Sequence, residues 1–72
     1  MTLKQLRESH AYRQVDVAAK CNVAVTTVNY WEKGETKPRP PHVRALAELY
    51  EVSIAEIQAA IEEAAEANKQ SS

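Results

Sequence analysis

The chain has 72 residues, with nine Lys plus Arg, ten Asp plus Glu, a net charge of −1, one Cys, one Gly and no Phe. That is one small domain with a thin core: too little for a typical enzyme scaffold with a deep pocket, and with a single Cys neither an internal disulfide nor a cysteine-built zinc site. No apolar run approaches the roughly 18 residues of a membrane span, and the start, Met1-Thr2-Leu3-Lys4-Gln5-Leu6-Arg7, lacks the apolar stretch of a signal peptide, so a cytoplasmic location is expected.

The lone Gly and the scarcity of alternating β-branched residues point to helices. Thr2 and Gln5 fit a capping box opening a helix over 3–10, with Leu3 and Leu6 inward. Residues 11–13 connect to a second helix over 14–21, which buries Val17, Ala18 and Cys21 on one face. Asn22 is a natural stop because Asn tolerates the left-handed conformation. A third helix fits 25–33 and ends at Gly34. Three prolines among residues 38–41 exclude helix interior there, and Pro41 suits the first position of a helix over 41–50, with Val43, Leu46, Ala47 and Tyr50 inward. Ser53 and Glu56 form a second capping box. It opens a fifth helix that carries Ile54, Ile57 and Ile61 on one stripe, extended by Ala64 toward Ala67. One domain is expected over 1–67, with a polar, fraying tail over 68–72.

The charge is unevenly spread. Residues 1–46 hold eight bases (Lys4, Arg7, Arg13, Lys20, Lys33, Lys37, Arg39, Arg44) against four acids, a net +4. Residues 47–72 hold six Glu against Lys69, a net −5. One face suited to a polyanion and another kept acidic would produce this split, as would ordinary solvated charge. The acidic fifth helix should lie away from any polyanion. Its isoleucine stripe suits self-association through Ile57 and Ile61, the alternative being closure of the chain's own core.

The second and third helices with their short turn form a helix-turn-helix if both bury a shared seam. Ala18 is small where the two would cross, and Val23 plugs the corner. On a helical wheel with Val25 at zero, Val28 and Trp31 fall near 300° and 240°, whereas Thr26, Asn29, Tyr30 and Lys33 fall between about 40° and 140°. Val28 and Trp31 therefore pack inward. Val25, Thr26, Asn29, Tyr30 and Lys33 form an outward flank. Asn suits a bidentate pair with adenine, and Val or Thr can touch a thymine methyl. Lys33 and Lys37 can reach phosphates; Arg39 and Arg44 flank the prolines and either track phosphate or are simply solvated. His10 and His42 lack companions at ligand spacing, so no metal or cofactor is expected. Cys21 reads as a small buried hydrophobe ahead of a redox switch. Neither paired carboxylates, a nucleophile with its base, nor a glycine-rich phosphate loop is present, so no enzymatic activity is expected.

Together, in order and spacing, Leu6-Arg7, Gln14 through Ala18, Val23, Val28, Trp31-Glu32-Lys33-Gly34, Lys37-Pro38 and Leu46-Ala47 through Val52-Ser53 resemble the phage repressor and Cro-type helix-turn-helix domains. These are five-helix DNA-binding regulators of bacteria and phages, and the resemblance covers about residues 3–57. It implies an all-α, lambda-repressor-like fold with the helix-turn-helix at the second and third helices. It also implies a transcriptional regulator that binds double-stranded DNA, acts as a homodimer, and is bacterial or phage-encoded and nucleoid-associated. By the same resemblance, Gln14 contacts phosphate, Val25, Thr26, Asn29 and Tyr30 occupy base-reading positions, and Arg7 and Glu32 form a partly buried salt bridge. Val52-Ser53 is the hinge between the last two helices. The chain departs from the pattern at Arg13 and Ala24, where the family has Ser or Thr caps, at Asn22 and Glu51, where it has glycines, and at Pro40-Pro41. The alternative reading is a protein-interaction module, antitoxin-like or regulator-binding, that uses the acidic C-terminal helix.

Overall fold

A computed structural model describes residues 1–71, with side chains described through residue 67. Five helices follow in order: α1 (Leu3–Ser9), α2 (Gln14–Cys21), α3 (Val25–Lys33), α4 (Pro40–Tyr50) and α5 (Ile54–Ser71). No strand occurs among the described residues. α2 packs on α3 and α4, while α5 runs against α1, α3 and α4.

Local chemistry sets most of the boundaries. At α1, Thr2 Oγ1 accepts from the Gln5 amide at 3.1 Å and Gln5 Oε1 accepts from the Thr2 amide at 2.8 Å, so both halves of the box form. The helix ends at Ser9, one residue early, and Ala11 turns the chain at φ 59°. Asn22 ends α2 at φ 58° and Gly34 ends α3 at φ 80°. Both residue types were expected to stop a helix there, because both tolerate the left-handed region. Glu51 ends α4 at φ 55°, so Glu adopts the conformation that the family assigns to glycine.

α4 begins at Pro40, one residue earlier than expected. Neither of the first two amides of a helix has an intrahelical partner, so two successive prolines fit its opening positions. At α5, Ser53 Oγ accepts from the Glu56 amide at 3.1 Å, one half of the expected box. α5 continues through Ser71, into the segment expected as a polar tail; Ser72 and the side chains of 68–71 lie outside the described residues.

The core takes one or more residues from every helix: Leu3 and Leu6, Val17, Ala18 and Cys21, Val28 and Trp31, Val43, Leu46, Ala47 and Tyr50, Ile57, Ala60 and Ile61. The isoleucine stripe divides. Ile57 and Ile61 are 0% and 8% exposed in the chain's own core, while Ile54 is 46% exposed. Ile57 and Ile61 thus close the chain's own core, the alternative to the self-association expected through them: α1, α3 and α4 all lean on α5, and these two side chains fill the space beneath.

Gly34 shows how closely α3 meets α5. A Cβ at Gly34 would overlap the Ala64 carbonyl oxygen and stand 2.7 Å from its carbon. Only a residue without a side chain allows both the positive φ and this approach.

Candidate nucleic-acid interface

α3 is rooted by Val28 and Trp31, 2% and 4% exposed, with the Trp31 ring 5.3 Å from that of His42. The opposite flank stands free. Val25 and Tyr30 are 41% and 44% exposed, Thr26 and Lys33 are exposed, and Asn29 is half-buried. A methyl pair, a hydroxyl, an amide, a phenol and an ammonium therefore share one open surface. This is the mixture that reads base edges and anchors to phosphate. Ala24, at the N-cap of α3, makes no side-chain capping bond, so the first amides of the helix lack that partner.

Beneath this flank lies a polar network. Arg7 Nε donates to Glu32 Oε2 at 2.6 Å and Arg7 Nη2 to Glu32 Oε1 at 3.2 Å, a bidentate pair, while Nη1 donates to the Tyr12 carbonyl at 3.0 Å. The two side chains are 14% and 5% exposed. The bond to Glu32 pushes the Arg7 guanidinium above its ordinary value, against the opposing effect of burial. Arg7 thus clamps α1, the α1–α2 connection and the end of α3 together.

Gln14, the first residue of α2, extends the network. Its Nε2 donates to Glu32 Oε1 at 3.0 Å and to Asn29 Oδ1 at 3.2 Å. Asn29 and Glu32 are three residues apart, neighbours on one helix face, and Gln14 bridges them. Two consequences follow from this bridge. The Gln14 amide hydrogens are both engaged, so in this state the side chain has none left to donate to phosphate. The Asn29 oxygen already accepts a hydrogen bond, which biases against the bidentate adenine pair, since that pair needs this oxygen as its acceptor. Gln14 and Asn29 stand fifteen residues apart in the chain. Their i,i+15 contact arises from the crossing of α2 over α3, which no local pattern displays.

The remaining basic groups differ in readiness. Lys33 projects from the last turn of α3. Lys37 Nζ lies 3.3 Å from Glu62 Oε1, both side chains more than half exposed; an exposed pair contributes about 1 kcal/mol or less, so Lys37 is easily released to another anion. Arg39 and Arg44 are exposed. At the start of α2, Asp16 Oδ2 accepts from the Arg13 amide at 2.9 Å. The guanidinium at position 13 has no acceptor to return the bond. Hydrogen bonding from Arg13 holds the Asp16 carboxyl below its ordinary range.

His10 and His42 serve as packing rings: His10 stacks on Tyr12 at 5.9 Å and leans on Tyr50 at 5.6 Å, and His42 meets Trp31. No cluster of three or more metal-ligating side chains occurs among the described residues. Cys21 is buried and unpaired, and burial pushes its thiol up, away from the thiolate a redox switch needs. No helix of the described residues is long and apolar enough to cross a membrane.

No curated protein and no solved structure matches the chain. A family model described as helix-turn-helix, of the Cro/C1 (XRE-like) type, matches residues 3–57 and so covers α1 through the first turn of α5. That family is a DNA-binding, transcription-regulating fold. Five helices, an α2–α3 helix-turn-helix and an open outer flank on α3 accord with the match, and the chain belongs to the Cro/C1-type helix-turn-helix family.

Proposed function

We propose that the chain is a sequence-specific transcriptional regulator that places α3 in the major groove of duplex DNA and has no catalytic activity. Val25, Thr26, Asn29 and Tyr30 supply base contacts. Lys33, and Lys37 once released from Glu62, supply phosphate contacts. Gln14 acts through Asn29 rather than by side-chain donation to phosphate. The observation that carries the reading is the contrast within α3: Trp31 is 4% exposed and Tyr30, its neighbour, 44%. We further propose that two copies read half-sites about 34 Å apart on a palindromic operator. With Ile57 sealed in the core, the groove between α4 and α5, which Ile54 and Ile61 help to line, offers an apolar surface for that contact. Such a regulator works on the chromosome, which places it in the cytoplasm of a bacterium or of a phage-infected cell.

Selection of bound duplexes from a random pool tests DNA binding, preference and palindromy together. Asn29→Ala is expected to relax one base position by ~1–3 kcal/mol, and Lys33→Ala to weaken all duplexes alike. A selection in which Asn29→Ala leaves every position unchanged defeats the base-reading assignment.

A second reading has its own support. The groove between α4 and α5, about 660 Å³ and lined by Pro40, Val43, Ile54 and Ala59 among others, adjoins the acidic side of α5. A protein partner could seat there. Salt separates the two: phosphate-dominated binding weakens steeply as salt rises, whereas an apolar protein interface changes little.

A further inference from the structure

We infer that the Arg7–Glu32 pair sets the donor–acceptor direction of the base-reading amide at Asn29, and that Asn29 therefore selects a guanine rather than an adenine. The inference rests on the proposed DNA-binding function and deepens it. Glu32, with Arg7 on both of its oxygens, is an ionised carboxylate that only accepts. The amide of Gln14 must then turn its NH2 end toward Glu32, 3.0 Å away. Its second amide hydrogen points at Asn29, 3.2 Å away, and requires an oxygen there. Asn29 thus commits Oδ1 to Gln14 and leaves its own NH2 group to face the groove.

Side-chain amides can flip, and their two ends are nearly the same shape. Here the flip is decided three links away by a charge. Guanine presents two acceptors, N7 and O6, along its major-groove edge, whereas adenine pairs an acceptor with the N6 donor. An outward NH2 matches both guanine atoms and only one of adenine. The Asn29 oxygen keeps a second lone pair, so adenine is disfavoured, not forbidden. Glu32 and Gln14 act on the base through Asn29; they are positioning residues.

Duplex selection with the wild-type chain, Gln14→Met and Glu32→Gln tests this, each variant being checked for folding by circular dichroism at the temperature used. Gln14→Met keeps the side chain's length and removes the amide. Glu32→Gln keeps the shape and removes the charge that orders the chain of amides. The wild type is expected to prefer guanine over adenine at the base facing Asn29 by roughly tenfold. In both variants that ratio should fall to about one or invert, while preferences opposite Val25 and Tyr30 persist. A merely structural role would weaken all sequences equally and leave the ratio unchanged. Should Glu32→Gln fail to fold, Gln14→Met decides alone. An unchanged ratio in Gln14→Met, or a wild-type preference for adenine at that base, overturns the inference while leaving DNA binding intact. A wild-type chain that selects no duplex overturns the proposed function and the inference with it.

Discussion

Replacing Arg7 by Met strands a carboxylate. Glu32 is 5% exposed, and its two oxygens hold three hydrogen bonds, two of them from Arg7. In Arg7→Met only the Gln14 bond remains, and the Tyr12 carbonyl loses its donor as well. Breaking a buried pair by removing one partner costs about 3–5 kcal/mol. The lower end applies here, about 3 kcal/mol, because Arg7 keeps 14% of its side chain in water. A domain this small has roughly 4–11 kcal/mol to lose and shifts its melting point by about 4–8 °C per kcal/mol, so a drop of roughly 12–24 °C is expected. Urea unfolding followed by Trp31 fluorescence measures the free-energy loss, and a thermal melt the midpoint shift, since the chain has a single, buried Trp. The double replacement Arg7→Met with Glu32→Leu removes both charges and should recover most of the loss, to within about 1 kcal/mol of the wild type. A loss below about 1 kcal/mol in Arg7→Met, the value of an exposed pair, would refute the reasoning.

Backbone and titration predictions follow from the same structure. Gly34→Ala should destabilise by about 2 kcal/mol or more, from the positive φ and the overlap with Ala64. Glu51→Gly should stabilise by about 1 kcal/mol, because a φ of 55° strains a residue with a side chain and not a glycine; urea midpoints that move in the opposite directions would count against both. Alkaline pH should destabilise the fold. Burial raises Cys21 above its ordinary 9.0 and Tyr50 above its ordinary 10.0. Folded pKa values above the unfolded ones mean stability that is complete below about pH 9 and declines as pH rises, because the unfolded chain loses these protons first. Thermal melts between about pH 8 and pH 11 should show the decline, with Cys21→Ala and Tyr50→Phe flattening it; a wild-type midpoint that stays level across that range contradicts the assignment.

Helix placement was readable because it depends on neighbours in the chain. Thr2 with Gln5 starts α1, and Asn22 and Gly34 stop α2 and α3. The 3.6-residue spacing of Val28 and Trp31 already separated the inner side of α3 from its outer flank. The one-residue difference at Pro40 falls where either of two adjacent prolines can open a helix, and that at Ser9 falls where His10 is already the cap. Ile54, Ile57 and Ile61 were a different matter. Their spacing declares a common stripe, yet whether that stripe meets its own core or a second copy depends on where α1, α3 and α4 come to rest. Packing answered it, burying Ile57 and Ile61 and leaving Ile54 in water.

By itself, then, the amino-acid order determined five helices, their inward faces and the family, because capping, left-handed stops and periodicity are local interactions. The folded arrangement alone decided what Gln14 does. Only when α2 crosses α3 does its amide reach Asn29 and Glu32, since a hydrogen bond needs its partners within about 3 Å and fifteen residues of intervening chain specify no such distance.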